Sequence, residues 1–365
     1  MINLPFLKTG KSGQFVNDIV IEEELKFRLQ PETGFSDEFP RRVKRGEAIL
    51  VRGNQKVLSP VDGIARLIEN NELLGIRQDG AFPGSRKPVL KEFGYSEMIA
   101  RLQECAVTSL DFSEPLADLL AKFRGREYFE IIFSPFTRTG DIDFSSLIMA
   151  KYNEEFQLLK GNLMTMFRDA VFQDFIGPGQ LKYSYPHGIP DLFIREYTKA
   201  APEDVMYFGP ETVFHLIQAL YYNIPFTRRH LAVYFQKDNG KKGPVKAYYL
   251  YNGQNLNLVK SGIPEKYKYF TFNSVYDRNE YHERGELLFH DIYKYSSLIF
   301  FTSVGEKSGE CIECMNCTYL CPVSADPYGL VKNEKFNKSL CIECGICSTY
   351  CPSGIDFKGK IRDVE

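Results

Sequence analysis

Over the first 75 residues, apolar and polar positions alternate in short runs broken by turn residues, which predicts strands. Val43-Lys44-Arg45-Gly46-Glu47-Ala48-Ile49-Leu50 reads as a turn feeding a strand. Leu58 to Ile68 repeats the theme, with Asp62-Gly63 at the turn. From about 95 to 225 the period changes. Ser96–Leu102, Pro115–Phe123 and Ser145–Phe167 carry helical patterns, with Pro115 at a tolerated first-turn position. Tyr128–Phe133 and Val205–Phe208 are short apolar runs suited to buried strands. Gly209-Pro210-Glu211 then opens a helix through about Tyr221. Strands alternating with helices predict a parallel α/β sheet. From about 228 to 275 strands return, with Leu231–Phe235 and Val245–Leu250 flanking the turn cluster Asn239–Pro244.

Composition narrows the function classes. Charged residues make up 25% of the 365-residue chain and the net charge is −2, so no basic field invites nucleic acid or anionic lipid. No run of eighteen apolar residues predicts a membrane span. Met1-Ile2-Asn3-Leu4-Pro5 lacks the basic and apolar regions of a secretory signal, so a cytoplasmic address is expected.

Nine cysteines are present, and eight fall between Cys311 and Cys351. Cys311-x2-Cys314-x2-Cys317-x3-Cys321-Pro322 is followed, nineteen residues on, by Cys341-x2-Cys344-x2-Cys347-x3-Cys351-Pro352. This is the bacterial two-cluster ferredoxin spacing, written twice. Three cysteines at x2 spacing wrap one face of a cubane. The fourth, before proline, starts a new segment and reaches the other cluster. One [4Fe–4S] cluster is therefore assigned to Cys311, Cys314, Cys317 and Cys351, the other to Cys341, Cys344, Cys347 and Cys321. Small residues near the second loop, Gly345 and Ser348, let backbone amides approach the cluster sulfurs. Zinc sites also use Cys-x2-Cys pairs, but with four ligands per ion and rarely a third cysteine at x2. Disulfides do not suit a reducing compartment.

With the tail placed, the chain resembles the C subunit of the Rnf electron-transport complex, which is similar to the flavin-bearing subunit of respiratory complex I. The residues outside the tail that carry this are Ser59-Pro60-Val61-Asp62-Gly63, Tyr185-Pro186-His187-Gly188 with Asp191-Leu192-Phe193-Ile194, and Pro225-Phe226-Thr227-Arg228-Arg229. The resemblance implies a multidomain α/β plus β fold. It comprises a β hybrid (barrel-sandwich) domain over 1–75, a Rossmann-like α/β domain over 76–225, a β-grasp module over 226–300 and a two-cluster ferredoxin domain over 301–365. It also implies membrane subunits as partners, ferredoxin or another redox protein as electron partner, and a place peripheral to the inner membrane. The first 75 residues also resemble half of a biotinyl/lipoyl-type carrier. The hairpin tip Arg52-Gly53-Asn54-Gln55-Lys56 lacks a Met-Lys signature, so Lys56 reads as scaffold.

The departures from the family bear on flavin. Its Gly-Gly-Ala-Gly-Phe-Pro loop lets backbone amides approach phosphate at a helix N-terminus. Here Cys105 to Pro115 holds no glycine, and it carries Asp111 and Glu114, which repel phosphate. Gly80-Ala81-Phe82-Pro83-Gly84 lies too early and reads as a turn. The family's acidic loop is replaced by Ser134-Pro135-Phe136-Thr137-Arg138-Thr139-Gly140, and Ile189-Pro190-Asp191 stands where a lysine is expected. Gly177-Pro178-Gly179 lacks a third glycine. The expectation is an α/β domain that has lost FMN and NADH, in an electron-transfer subunit without catalytic residues of its own. Two other readings stay open. One is an FMN-dependent NADH:acceptor oxidoreductase with an atypical flavin site. The other is a scaffold whose clusters hold its tail folded. The five histidines, His187, His215, His230, His282 and His290, show no metal-ligand spacing. Cys105 reads as a small buried residue.

Overall fold

The computed structural model describes residues 14–16, 24–29, 33–35, 38–69, 72–79, 87–177, 181, 185–237, 242–260, 262–273, 281–303, 309–332 and 334–363. The start Met1–Pro5, the turn Gly80–Gly84, Pro178-Gly179 and the turn tip 239–241 lie outside the described residues.

The chain is a mixed α/β protein with several sheets. Its N-terminal part pairs Glu24–Arg28, Leu73–Gln78, Gly63–Ile68 and Arg41–Val43 into one antiparallel sheet. A second sheet joins Thr33–Phe35, Ala48–Arg52 and Gln55–Leu58. Strand alternation does the sorting. In Gly63–Ile68, Ala65 points inward while Ile64 and Arg66 point to solvent. The enclosed core gathers Leu25, Phe27, Ile49, Leu50, Val57, Leu74 and Ile76, and Tyr251 enters it from a later strand.

Glu130–Phe133 lies between Val171–Asp174 and Val205–Phe208 in a parallel sheet. Helices cover both faces. One layer contains Tyr95–Glu104, Leu116–Lys122 and Asn153–Met166, with Pro210–Tyr222 at its centre. That central helix is buried from Pro210 through Tyr221, its polar Glu211, Thr212, His215 and Gln218 included. Pro210 opens it, where a missing N–H costs nothing, and Asn223 ends it in the left-handed region at φ 50°. The other face holds Phe136, Phe193, Ile194 and Tyr207, with Pro190–Tyr197 packed there.

The helical stretch expected over 145–167 is two helices, Phe144–Lys151 and Asn153–Met166. Tyr152 breaks it, leaving helical geometry at φ −132°, ψ 23°. Its ring meets Phe214 and Tyr222 edge-on. A continuous apolar pattern gives no sign of this break, because aromatic packing imposes it.

A six-stranded mixed sheet runs Gln14–Val16, Lys246–Tyr251, Arg228–Phe235, Ser297–Phe301, Tyr269–Phe272, His282–Glu283. Arg229 at its heart forms a two-pronged ion pair with Glu211, both contacts 2.8 Å, and donates to the Ile292 carbonyl at 3.1 Å. Both partners are buried, so the pair ties the central helix to this sheet.

Candidate metal centre

Residues 309–363 contain no strand among the described residues; short helices alternate with loops. The cysteine duplication extends to the backbone. Asn316–Tyr319 and Ile346–Thr349 are matching one-turn helices, thirty residues apart. Left-handed residues recur at the same interval: Glu313 and Glu343, Met315 and Gly345, Ser324 and Gly354. Such turns fold each loop back so that its three cysteines share one side.

The second motif surrounds a pocket lined by Cys341, Cys344, Cys347 and, from the first motif, Cys321. Pro322, Val323, Ile342, Ile346 and Ile361 supply apolar wall. The structure thus brings together the four residues assigned by spacing to one set. Burial pushes the Cys344 thiol up to about 12, with Cys321 and Cys341 adding to the rise. Cys347 is also pushed up to about 12 by burial, then by Cys344, Cys341 and Cys321. Cys341 is raised by burial, with a contribution from Cys321. The same crossing occurs on the other side. Burial raises Cys317, and Cys351, from the far motif, adds to it. Cys311, Cys317 and Cys351 pack with Ile355, Phe357 and Ile361 in an apolar cluster that also takes in Cys341 and Cys347. Cys314 is exposed.

A cubane requires an enclosed apolar space, four sulfur ligands and amide hydrogens aimed at sulfur. Cys321 Sγ accepts from the Ala325 amide at 3.3 Å, and Cys341 Sγ from the Glu343 amide at 3.4 Å. The donor set and the cavity fit such a group. Among the described residues, no three His, Cys, Asp or Glu side chains converge as on a single metal ion.

The second loop is also docked. The Tyr185 hydroxyl donates to the Cys344 carbonyl at 2.5 Å. Ile189 and Leu192 pack on Ile342, and Arg195 donates to the Leu340 carbonyl at 3.3 Å. Gly188 lets this segment lie on its neighbour; a β-carbon there would stand 2.1 Å from the Thr137 carbonyl oxygen. Spacing gave no sign that Tyr185 reaches the cysteine loop.

A second, small concavity opens at the carboxyl ends of Glu130–Phe133 and Val205–Phe208, where parallel sheets receive ligands. The Asp111 carboxylate fills the anion position there. It accepts from the Gly209 amide at 2.8 Å and the Thr212 hydroxyl at 2.7 Å, at the start of the central helix. A β-carbon on Gly209 would stand 2.3 Å from Asp111 Oδ1. Asp111 keeps some exposed surface, yet its carboxylate is enclosed, and burial raises it to about 6. Asp141 lines the same cleft, paired with Lys242.

The remaining candidates are structural. His282 contacts Glu286 at 2.9 Å and stacks on Phe270; His187 pairs with Glu196. Cys105 is buried beside Asn223. The Arg52–Gln55 tip is a hairpin turn whose Gln55 amide donates to the Ser113 carbonyl.

Comparison with known proteins places the tail. The 4Fe–4S binding domain family matches residues 334–355, which span the second motif. The C-terminus is a ferredoxin-type 4Fe–4S domain. No curated protein matches the chain. Among solved structures, an NAD+-reducing [NiFe]-hydrogenase in the air-oxidized state aligns over 57% of this chain at 10% identity, with a TM-score of 0.38. The alignment spans 47% of that chain, a likeness too distant to assign a role. No helix among the described residues is long and apolar enough to cross a membrane.

Proposed function

We propose that this chain is an electron-transfer subunit of an Rnf-like, membrane-associated redox complex, holding two [4Fe–4S] clusters. The observation that carries the reading is the crossed cysteine arrangement, in which Cys321 joins Cys341, Cys344 and Cys347 around one cavity. Cys311, Cys314, Cys317 and Cys351 form the second ligand set. When bound, these clusters supply one-electron redox chemistry. The protein's part is to exclude water with Ile342, Ile346 and Ile361, to aim amides at sulfur, and to fix the second loop through Tyr185. The α/β domain serves as a mount. Its cleft seats the Asp111 carboxylate on the Gly209 amide at a helix start, the kind of place that otherwise receives a phosphate, which supports a reading without FMN or NADH. The partners are then membrane subunits and a ferredoxin or another redox protein, with the chain peripheral to the inner membrane on the cytoplasmic side.

The test is anaerobic purification followed by counts of iron, sulfide and flavin per chain, then NADH addition with the visible spectrum recorded. About eight irons, no flavin and no bleaching by NADH are expected. Stoichiometric flavin with rapid bleaching would replace this reading with an NADH:acceptor oxidoreductase.

A further inference from the structure

The two cysteine motifs match in sequence and backbone but not in surroundings. In the second motif, Ile342 is 7% exposed under Ile189 and Leu192, and the Cys344 carbonyl takes the Tyr185 hydroxyl. Thirty residues earlier, the equivalent Ile312 is 65% exposed and Cys314 is exposed. Tyr319, on the same one-turn helix as Cys317, is 70% exposed. The left-handed turns at Glu313 and Met315 repeat those at Glu343 and Gly345, so the backbone presents the same face twice. The chain's own segment 185–195 covers one copy. The other is bare.

We propose that the face formed by Ile312, Cys314 and Tyr319 docks a small one-electron redox protein, held there as segment 185–195 is held on the second motif. The proposal rests on reading the motifs as cluster-binding. The occupant's chemistry follows from the cover on the equivalent face. It brings apolar side chains onto Ile312, as Ile189 and Leu192 meet Ile342, and a hydrogen-bond donor to the Cys314 carbonyl. Within Gly309–Leu320 the charged residues are Glu310 and Glu313, with no Lys or Arg, and Lys332 pairs with Glu313 from the next helix. With Glu313 already paired to Lys332, Glu310 is the acid that a basic group on the partner's rim would meet. Apolar contact at the centre with charge at the edge is the anatomy of a transient interface, and the charge sets the encounter rate. Two large apolar side chains bared beside a cysteine loop are the kind of patch that marks an interaction site.

The experiment uses the anaerobically purified full chain with its iron and sulfide counted. The probe is mitochondrial-type cytochrome c, a small one-electron protein with a basic rim around an apolar contact face. An acidic bacterial ferredoxin serves as comparator. Binding is read by calorimetry at two salt concentrations, and the contact by hydrogen exchange. The expected result is saturable binding of cytochrome c, weaker at higher salt, with protection confined to residues 309–320 and tighter than for the acidic ferredoxin. The double variant Ile312→Ser with Tyr319→Ser keeps its iron, because both positions are exposed, and binds at least tenfold more weakly. Val89→Ser, an equally exposed site elsewhere, binds as the parent does. A chain with eight irons that gives no protection at 309–320, or a double variant that binds undiminished, overturns the docking proposal alone. A chain that retains no iron and sulfide overturns the cluster reading on which it rests.

Discussion

The hydroxyl of Tyr185 donates to the carbonyl of Cys344 at 2.5 Å, joining two segments 159 residues apart in sequence. Around it, Tyr185 and Ile346 form a buried apolar contact with Leu320 and Tyr350. The second cysteine loop is therefore held from outside its own domain. Tyr185→Phe keeps the ring and leaves a carbonyl without its donor, at a cost of about 1–2 kcal/mol. Iron should be lost to a chelator faster from the second site than in the parent, with the first site unchanged. Site-resolved iron release, followed by electron paramagnetic resonance of the remaining cluster, checks this.

Crossed ligation makes a non-additive prediction. Cys321→Ser should remove the site that contains Cys341, lowering iron from about eight to about four per chain. Adding Cys341→Ser should remove nothing further, whereas adding Cys317→Ser should empty both sites. If each motif served its own cluster, the Cys321→Ser, Cys341→Ser pair would abolish all iron. Iron and sulfide analysis of the three variants separates the two arrangements.

The Asp111 carboxylate gives a pH signature. Its folded value, about 6, lies above the ordinary 3.8, so its stabilising share is full below pH 3.8 and is lost as pH rises through 6. Asp111→Asn keeps an acceptor for Gly209 and Thr212 and does not ionise. Its stability relative to the parent should rise between pH 4 and 6 by at most about 3 kcal/mol and stay level above. Buried His230 and His290 act with the opposite sign. Burial holds each down to about 3, so their contribution is present above pH 6.5 and falls as pH drops toward 3. Melting temperature against pH for parent and Asp111→Asn isolates the Asp111 share.

The Glu211–Arg229 pair is buried on both sides. Arg229→Met leaves Glu211 charged and alone and should cost about 3–5 kcal/mol. The double change Glu211→Leu, Arg229→Met should recover most of that loss, because the uncompensated charge is gone. Urea unfolding of the three variants measures it.

The sequence was most legible where chemistry demands fixed spacing or a short apolar run. The second cysteine motif could be read directly because a cubane tolerates few loop lengths, and the family match falls on it. Val205–Phe208 and the helix after it were legible because a short apolar run is followed by Gly209-Pro210-Glu211, which opens the helix. Tyr152 was not, since its helix break comes from rings on a distant helix. Asp111 was visible as an acid out of place in a phosphate loop, but only the fold shows it seated on the Gly209 amide. Tyr185 stood out only as part of the Tyr185-Pro186-His187-Gly188 segment, with no sign of its contact with the cysteine loop. Its role depends on a partner 159 residues away, and no period of 2 or 3.6 encodes that.

Tyr251 belongs to one sheet and fills the core of another. Around it, the Lys26 amide donates to the Gly253 carbonyl at 2.9 Å, and Arg52 pairs with Asp291 at 2.9 Å. The two N-terminal sheets have no complete interior until the last third of the chain is made. Synthesised first, it can be finished only late, so a nascent or truncated chain that stops before Tyr251 carries an open apolar socket and would be a substrate for chaperones or proteases.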